Sequence, residues 1–276
     1  MQVLDTKLVE LNGFIADKGR NGVVVAFSGG VDSSTLAVIC HRILGNRAVA
    51  VIAQSPVYTQ AEMREAKQIA QDIGIKLFVV LTEQLENADF TRNPENRCYF
   101  CKKELLQKLK AFGNKHGFKT VFEGTNFSDL RGHRPGFRAV QESEGVYSPW
   151  VECKFSKEEI CAIAKDMGLG VYNKPAAACL ATRIPFNEEI TAQKLWRVEE
   201  AEDAIREIVN VQQLRVRDHN GLAHIEVGPY ERELFFRLDV IDAVVQRLKR
   251  LGFVYVTFDL EGYRSGSMLE VLNRST

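Results

Sequence analysis

Two groups of residues in this 276-residue chain have types and spacing suited to chemistry. The first is Ser28-Gly29-Gly30-Val31-Asp32-Ser33-Ser34. Its glycines let backbone N–H groups approach an oxyanion closely, and its three hydroxyls add donors. Asp32 can cap a helix or face a metal. A tight strand-to-helix turn needs only the glycines, so three serines and an aspartate in this order exceed what a turn requires. The second group is Cys98-Tyr99-Phe100-Cys101, with Cys179 far along the chain in the loop from Asn173 to Arg183. A C-x-x-C pair puts two sulfurs on one side of a turn, and a neighbouring helix start favours both thiolates. The pair alone fits a redox couple or part of a zinc site, and zinc would want a fourth ligand. His116 and His133 are candidates, although neither has zinc-ligand spacing to the pair. Three cysteines without a clear fourth ligand also suit a 4Fe–4S cluster with one iron open to an exogenous ligand. If that ligand is sulfide, the protein is a sulfur donor. Cys40 and Cys161 fall in helical patterns among apolar residues and read as core thiols, while Cys153 stands at the end of an expected strand.

Basic residues form a third set. Arg131, Arg134 and Arg138 follow the fourth expected strand and offer guanidiniums for carboxylate or phosphate; a solvated surface loop is the alternative. Arg183 lies four residues after Cys179 and can hold a phosphate beside the sulfur. Arg215 and Arg217 share one face of a strand with Glu226 across a hairpin, where a cross-strand salt bridge is the alternative to ligand binding.

The elements that must position these residues alternate. After a leading helix, strands are predicted near 23–27, 48–54, 76–82 and 120–125, with helices near 33–44, 59–73 and 101–116 between them. That grammar means βαβ units and an α/β fold with a doubly wound, mostly parallel sheet. Ligands collect at the carboxyl edge of such a sheet. The edge would hold the 28–34 loop, Ala53-Gln54-Ser55 and Gly124-Thr125-Asn126. Ser156 to Glu159 reads as a capping box opening a further helix. Beyond Asn187 come a long helix (190–209), a hairpin through Asn220-Gly221, a helix at 231–251 and a last strand from Val254 to Leu260. The boundary is therefore placed between residues 1–187 and an α+β domain over 188–276.

Bulk properties exclude several classes. The chain is 45% hydrophobic and 26% charged, with 36 basic against 36 acidic side chains. Zero net charge argues against a protein devoted to coating nucleic acid. No apolar run approaches the about 20 residues that span a bilayer. The N-terminus reads as an amphipathic helix, not a signal peptide, so a cytoplasmic protein is expected. Six cysteines in a reducing compartment then read as ligands, catalysts or core residues.

Ser-Gly-Gly-x-Asp-Ser lacks the lysine ending of the common P-loop and resembles the PP-loop of ATP pyrophosphatases. Further strings resemble the LarE family, the ATP-dependent sulfur transferases that build the nickel-pincer nucleotide cofactor of lactate racemase. They are Asn126-Phe-Ser-Asp129 with His133-Arg134-Pro-Gly-Phe-Arg138-Ala139, Asn173-Lys174 and Arg183-Ile184-Pro185 around the cysteine loop, Val216-Arg217-Asp218-His219-Asn220, and Tyr255 to Gly266. The resemblance covers nearly the whole chain. It implies ATP and Mg2+ along Ala26, Ser28, Gly29, Gly30, Val31, Asp32, Ser33 and Ser34, with Ala53, Gly124 and Asp129 nearby. It further implies adenylation of a carboxylate of pyridinium-3,5-biscarboxylic acid mononucleotide, whose anionic groups are expected to meet Arg134 and Arg138, with Arg183 and Arg215 as further candidate binding residues. Sulfur then displaces AMP. Some members place one sacrificial cysteine where this chain has Ala178. With Cys98, Cys101 and Cys179 the chain resembles the branch proposed to use a 4Fe–4S cluster fed by sulfide or another sulfur donor, and a homo-oligomer is implied. Alternatives are a PP-loop tRNA thiolase, an ammonia-using synthetase of the NAD or GMP type, and a non-enzymatic scaffold.

Overall fold

The computed structural model describes residues 2–132, 134–174, 178–264 and 266–268. In chain order the strands are β1 (Val23–Ala26), β2 (Ala48–Gln54), β3 (Lys76–Leu81), β4 (Thr120–Phe122), β5 (Val146–Tyr147), β6 (Leu214–His219), β7 (Leu222–Val227) and β8 (Tyr255–Phe258). The helices are α1 (Gln2–Lys18), α2 (Val31–Leu44), α3 (Gln60–Ile73), α4 (Ala88–Thr91), α5 (Arg97–His116), α6 (Pro135–Gln141), α7 (Pro149–Glu152), α8 (Lys157–Asp166), α9 (Ala192–Ile208) and α10 (Leu238–Arg250). None among the described residues is long and apolar enough to cross a membrane.

The chain divides into two compact units, Met1–Gln84 with Asn96–Ala177, and Leu85–Glu95 with Ala178–Thr276. In the first, five strands run parallel in the order β3-β2-β1-β4-β5. Val23 and Val25 of β1 pack with Leu11 of α1, Leu36 of α2, Ala66 of α3 and Ile160 of α8, whereas Val24 packs with Leu106 and Leu109 of α5. The run of valines is apolar throughout because both faces of β1 are covered. This is the expected α/β fold with helices on both sides of a parallel sheet. Strand order reverses between β1 and β4, so the carboxyl ends of these two strands flank the switch point where such sheets bind ligands. The two-residue β5 is too short to show a period in sequence.

In the second unit, β6 and β7 form an antiparallel hairpin and β8 lies parallel to β7. Asn220 and Gly221 take φ values of 50° and 93°, the pair of positive angles that a two-residue hairpin turn demands. Ile205, Val216, Ile225, Leu248 and Phe253 fill the core. The sequence places one boundary after residue 187. In the structure the second unit begins at Ala178 and also takes in 85–95. Asn93 explains the insertion: its side-chain amide donates to the carbonyls of Ile184 (3.2 Å) and Pro185 (2.6 Å), and Asn187 N–H donates to Asn93 O (2.9 Å). The last helix begins at Leu238 and not near 231, because Arg232–Phe235 turns as a separate 3-10 segment.

Candidate active site

The loop leaving β1 is shaped by two glycines for different reasons. Gly29 has φ +72°, and a Cβ there would lie 2.8 Å from the Ala66 Cβ of α3. Only glycine meets both constraints. Gly30 occupies the N-cap of α2 and supplies no side-chain cap, which leaves the first-turn amides available to an oxyanion. Ser28 N–H donates to Ser33 Oγ (3.2 Å), the two hydroxyl oxygens lie 3.0 Å apart, and Ser33 Oγ–H donates to Gly30 O (3.2 Å). Ser28 is exposed, while Ser34 is fully buried and its hydroxyl finds no partner among the described residues. Val31 opens α2, Ala26 ends β1, and Ala53 stands one residue before the end of β2. Gly124 follows β4, where a Cβ would sit 3.2 Å from Ser33 N. The described loops after β1 and β4 therefore abut at the carboxyl edge.

Asp32 does not cap the helix, as the sequence reading allowed, because Gly30 holds that position. Its carboxylate accepts from Asn126 Nδ2 (3.2 Å) and pairs with Lys157 of α8, while its carbonyl accepts from Trp150 Nε1 (3.1 Å). A cation facing Asp32 would have to displace Lys157, so the phosphates of ATP are the better oxygen ligands and Mg2+ is best counted as part of an MgATP substrate. Lys157 was missed because it sits inside an ordinary capping box, which the structure reproduces with Ser156 Oγ accepting from Glu159 N–H (3.2 Å).

The C-x-x-C pair was expected just before a helix. It lies instead inside the start of α5, which begins at Arg97, with Cys98 in the first turn and Cys101 at the beginning of the second. Cys98 is exposed and Cys101 half-buried, one turn apart on the same face, where the helix N-terminus favours thiolates. This turn is fastened to the carboxyl edge of the sheet. Lys102 Nζ pairs with Glu123 (2.7 Å) just beyond β4, and Gln84 Nε2 donates to Cys101 Sγ (3.8 Å). Burial pushes the Glu123 carboxyl up, but the Lys102 charge and hydrogen bonds from Lys102, Ser148 and Thr125 outweigh it and hold the group below its usual range. His116 closes the far end of α5, stacked on Phe112, about 22 Å from Cys101 at 1.5 Å per residue. It is no partner for the pair. His133 lies outside the described residues, as do 175–177 of the cysteine loop.

None of the six cysteines is paired in a disulfide. Cys40 is fully buried in α2, and Cys161 packs against the same core. Cys153 ends the short helix α7 and not a strand; burial pushes its thiol up to about 11, which makes it a core group. Cys179, in the second unit, caps the 3-10 turn Leu180–Arg183. Cys98, Cys101 and Cys179 are soft donors that fit iron or zinc by type.

The arginines separate by environment. Arg134 pairs with Asp129, and Arg138 pairs with Glu142 (2.7 Å) beneath the Tyr99 ring; both are exposed. Asp129 also closes a capping box with Asn126. Their helix α6 rests on α5, since a Cβ at Gly136 would meet Cys98 O at 3.2 Å. Arg183 is buried, forks onto Glu202 (2.8 and 3.1 Å) and donates to the carbonyls of Ala178 and Cys179. It thus already holds the cysteine loop. Arg217 takes Glu226 in a buried bidentate pair (2.7 and 2.6 Å), the salt-bridge alternative. Arg215, though directly opposite Glu226 in register, instead lies over Tyr263. Burial, then the Arg183 charge, disfavours its cationic form. His224, Glu226 and Asp259 place donor atoms within 4.8 Å of one another, but Arg217 occupies both Glu226 oxygens.

The family model for NAD synthase matches residues 4–106, which contain this loop. An uncharacterized protein of Synechocystis sp. is 41% identical over 272 residues, covering 99% of this chain and 100% of the relative. The pyridinium-3,5-bisthiocarboxylic acid mononucleotide synthase of Lactiplantibacillus plantarum is 32% identical over 276 residues, covering 100% of this chain and 98% of that enzyme. The chain belongs to the LarE family. LarE proteins are PP-loop enzymes that use ATP, and this one is an ATP-dependent enzyme of that kind. The NH(3)-dependent NAD(+) synthetase of Pyrococcus horikoshii is similar over a smaller part, 28% identical over 214 residues, covering 72% of this chain and 80% of the relative.

Proposed function

We propose that this LarE-family enzyme converts a carboxylate of pyridinium-3,5-biscarboxylic acid mononucleotide into a thiocarboxylate. The carboxylate oxygen attacks the α-phosphorus of MgATP, and the bond to the β-phosphate breaks to release pyrophosphate. Sulfide attacks the acyl carbon of the adenylate, AMP departs, and one proton is lost from sulfur. The observation that carries this reading is the β1–Gly29–Gly30–α2 loop, whose uncapped amides and serine hydroxyls suit pyrophosphate at the switch point. The ATP site comprises Ala26 to Ser34 with Ala53, Gly124 and Asp129.

Arg134 and Arg138 lie where an acidic mononucleotide would exchange surface carboxylates for its own. Burial and the Arg183 charge disfavour the cationic form of Arg215, so an anion beside Arg215 would relieve it. Cys98, Cys101 and Cys179 would hold a 4Fe–4S cluster, which supplies a site for the transferred sulfur when bound. A sulfide pool or another sulfur donor would replenish it, and a reducing cytoplasm would keep the thiols available. Assembly as a homo-oligomer, with residues 188–276 contributing contacts, belongs to the same proposal. The test is iron and sulfide content after anaerobic purification, followed by mass spectrometry after turnover. Dehydroalanine at Cys179 in amounts matching product would overturn the cluster in favour of a sacrificed side chain. The match to NAD synthase favours one second reading, adenylation followed by attack of ammonia. Ammonium-dependent AMP release with an amide product would select it.

A further inference from the structure

Ser55 and Gln84 are buried polar residues, 8% and 1% exposed, that carry no step of the proposed reaction. Val57 N–H donates to Ser55 Oγ (3.3 Å), which occupies the hydroxyl as an acceptor. The hydroxyl proton is then directed to Gln84 Oε1 at 2.7 Å. An amide whose oxygen is held in this way must turn its nitrogen the other way, and Gln84 Nε2 faces Cys101 Sγ at 3.8 Å. Polarity thus runs in one direction, from a backbone donor after β2 through two enclosed side chains to a sulfur near the start of α5. A reversed amide would take the acceptor away from the Ser55 hydroxyl proton and leave its own oxygen only the weak Cys101 S–H as a donor.

We propose that Gln84 is a positioning residue for Cys101, oriented by Ser55 so that its N–H fixes the Cys101 sulfur and draws electron density from it. The consequence for a cluster rests on the iron–sulfur reading above; the hydrogen bond does not. A hydrogen bond to a ligating thiolate stabilises the more electron-rich state, so it raises the reduction potential of whatever the sulfur binds. Neither residue touches substrate in this account, and both act through Cys101.

Two measurements on the full-length protein decide it. In metal-free protein, the Gln84 side-chain amide is followed by NMR with labelled glutamine. Slow proton exchange is expected, and the resonances should move in both Cys101→Ala and Ser55→Ala. Fast exchange, or resonances unmoved by either change, would overturn the proposal. In anaerobically purified protein, iron and sulfide are counted and the midpoint potential is titrated. Gln84→Leu should keep the wild-type iron and sulfide content and shift to a more negative potential, with Ser55→Ala shifted the same way by less. An unmoved potential in a fully loaded variant would overturn the tuning role and leave Gln84 as packing. If Gln84→Leu fails to load, Ser55→Ala carries the comparison. A wild type without iron or sulfide sinks the cluster reading alone, and the amide resonances then decide the relay.

Discussion

Asp32 ties three elements together through one carboxylate, because Asn126 follows β4 and Lys157 opens α8. ATP phosphates arriving at Gly30 would meet Lys157 beside that carboxylate, so the aspartate sets where the lysine charge sits. Asp32→Ala is expected to lower AMP and pyrophosphate formation by roughly 10²–10³-fold, the loss typical of removing one preorganised electrostatic group. A pyrophosphate-release assay with a parallel thermal melt separates this from unfolding. Arg134→Ala should weaken the mononucleotide by about 1.5–3 kcal/mol, one charge-assisted contact, with ATP affinity unchanged. Isothermal titration with each ligand reads that difference, and equal losses for both would contradict it. At this scale the glycines, serines and cysteines were legible because their chemistry is local to a short string. Lys157 and Gln84 were not, since each meets its site partner only across 125 or 17 residues of chain.

At the scale of elements, α5 is held to the sheet by Lys102 and Glu123, whose side chains are 24% and 1% exposed. Lys102→Met leaves a buried carboxylate without its cation, a change expected to cost about 3–5 kcal/mol by urea unfolding at neutral pH. Glu123 is held below its ordinary range when folded, so its contribution is present above the unfolded value near about 4.3 and is lost as pH falls through the folded one. Lys102→Met should therefore lose less, relative to wild type, at low pH than at neutral pH. Strand and helix alternation, the capping box at Ser156 and the Asn220-Gly221 hairpin were legible because period and turn chemistry are short-range. The start of α5 was not. Its N-cap, Asn96, makes no side-chain cap, so no signal moved the expected boundary back to Arg97.

The molecule's division into units was the least legible feature, because 85–95 joins residues some ninety positions away through Asn93. Asn93 is fully buried with φ 56°, and Asn93→Ala would leave the Ile184 and Pro185 carbonyls without that donor. A loss of about 1–3 kcal/mol is expected, from groups left unsatisfied in the interior. Hydrogen exchange should show it as lowered protection across 178–227, with β1 and β2 unaffected; uniform loss in both units would contradict the division. The central claim is sulfur-for-oxygen exchange driven by ATP cleavage, and one measurement tests it most directly. The anaerobically purified enzyme is incubated with MgATP, pyridinium-3,5-biscarboxylic acid mononucleotide and isotopically labelled sulfide, and all products are resolved by mass spectrometry. The account predicts AMP and pyrophosphate in equal amounts together with a thiocarboxylate mononucleotide that carries the label. AMP formation with an unlabelled or amide product, or no AMP at all, would contradict it.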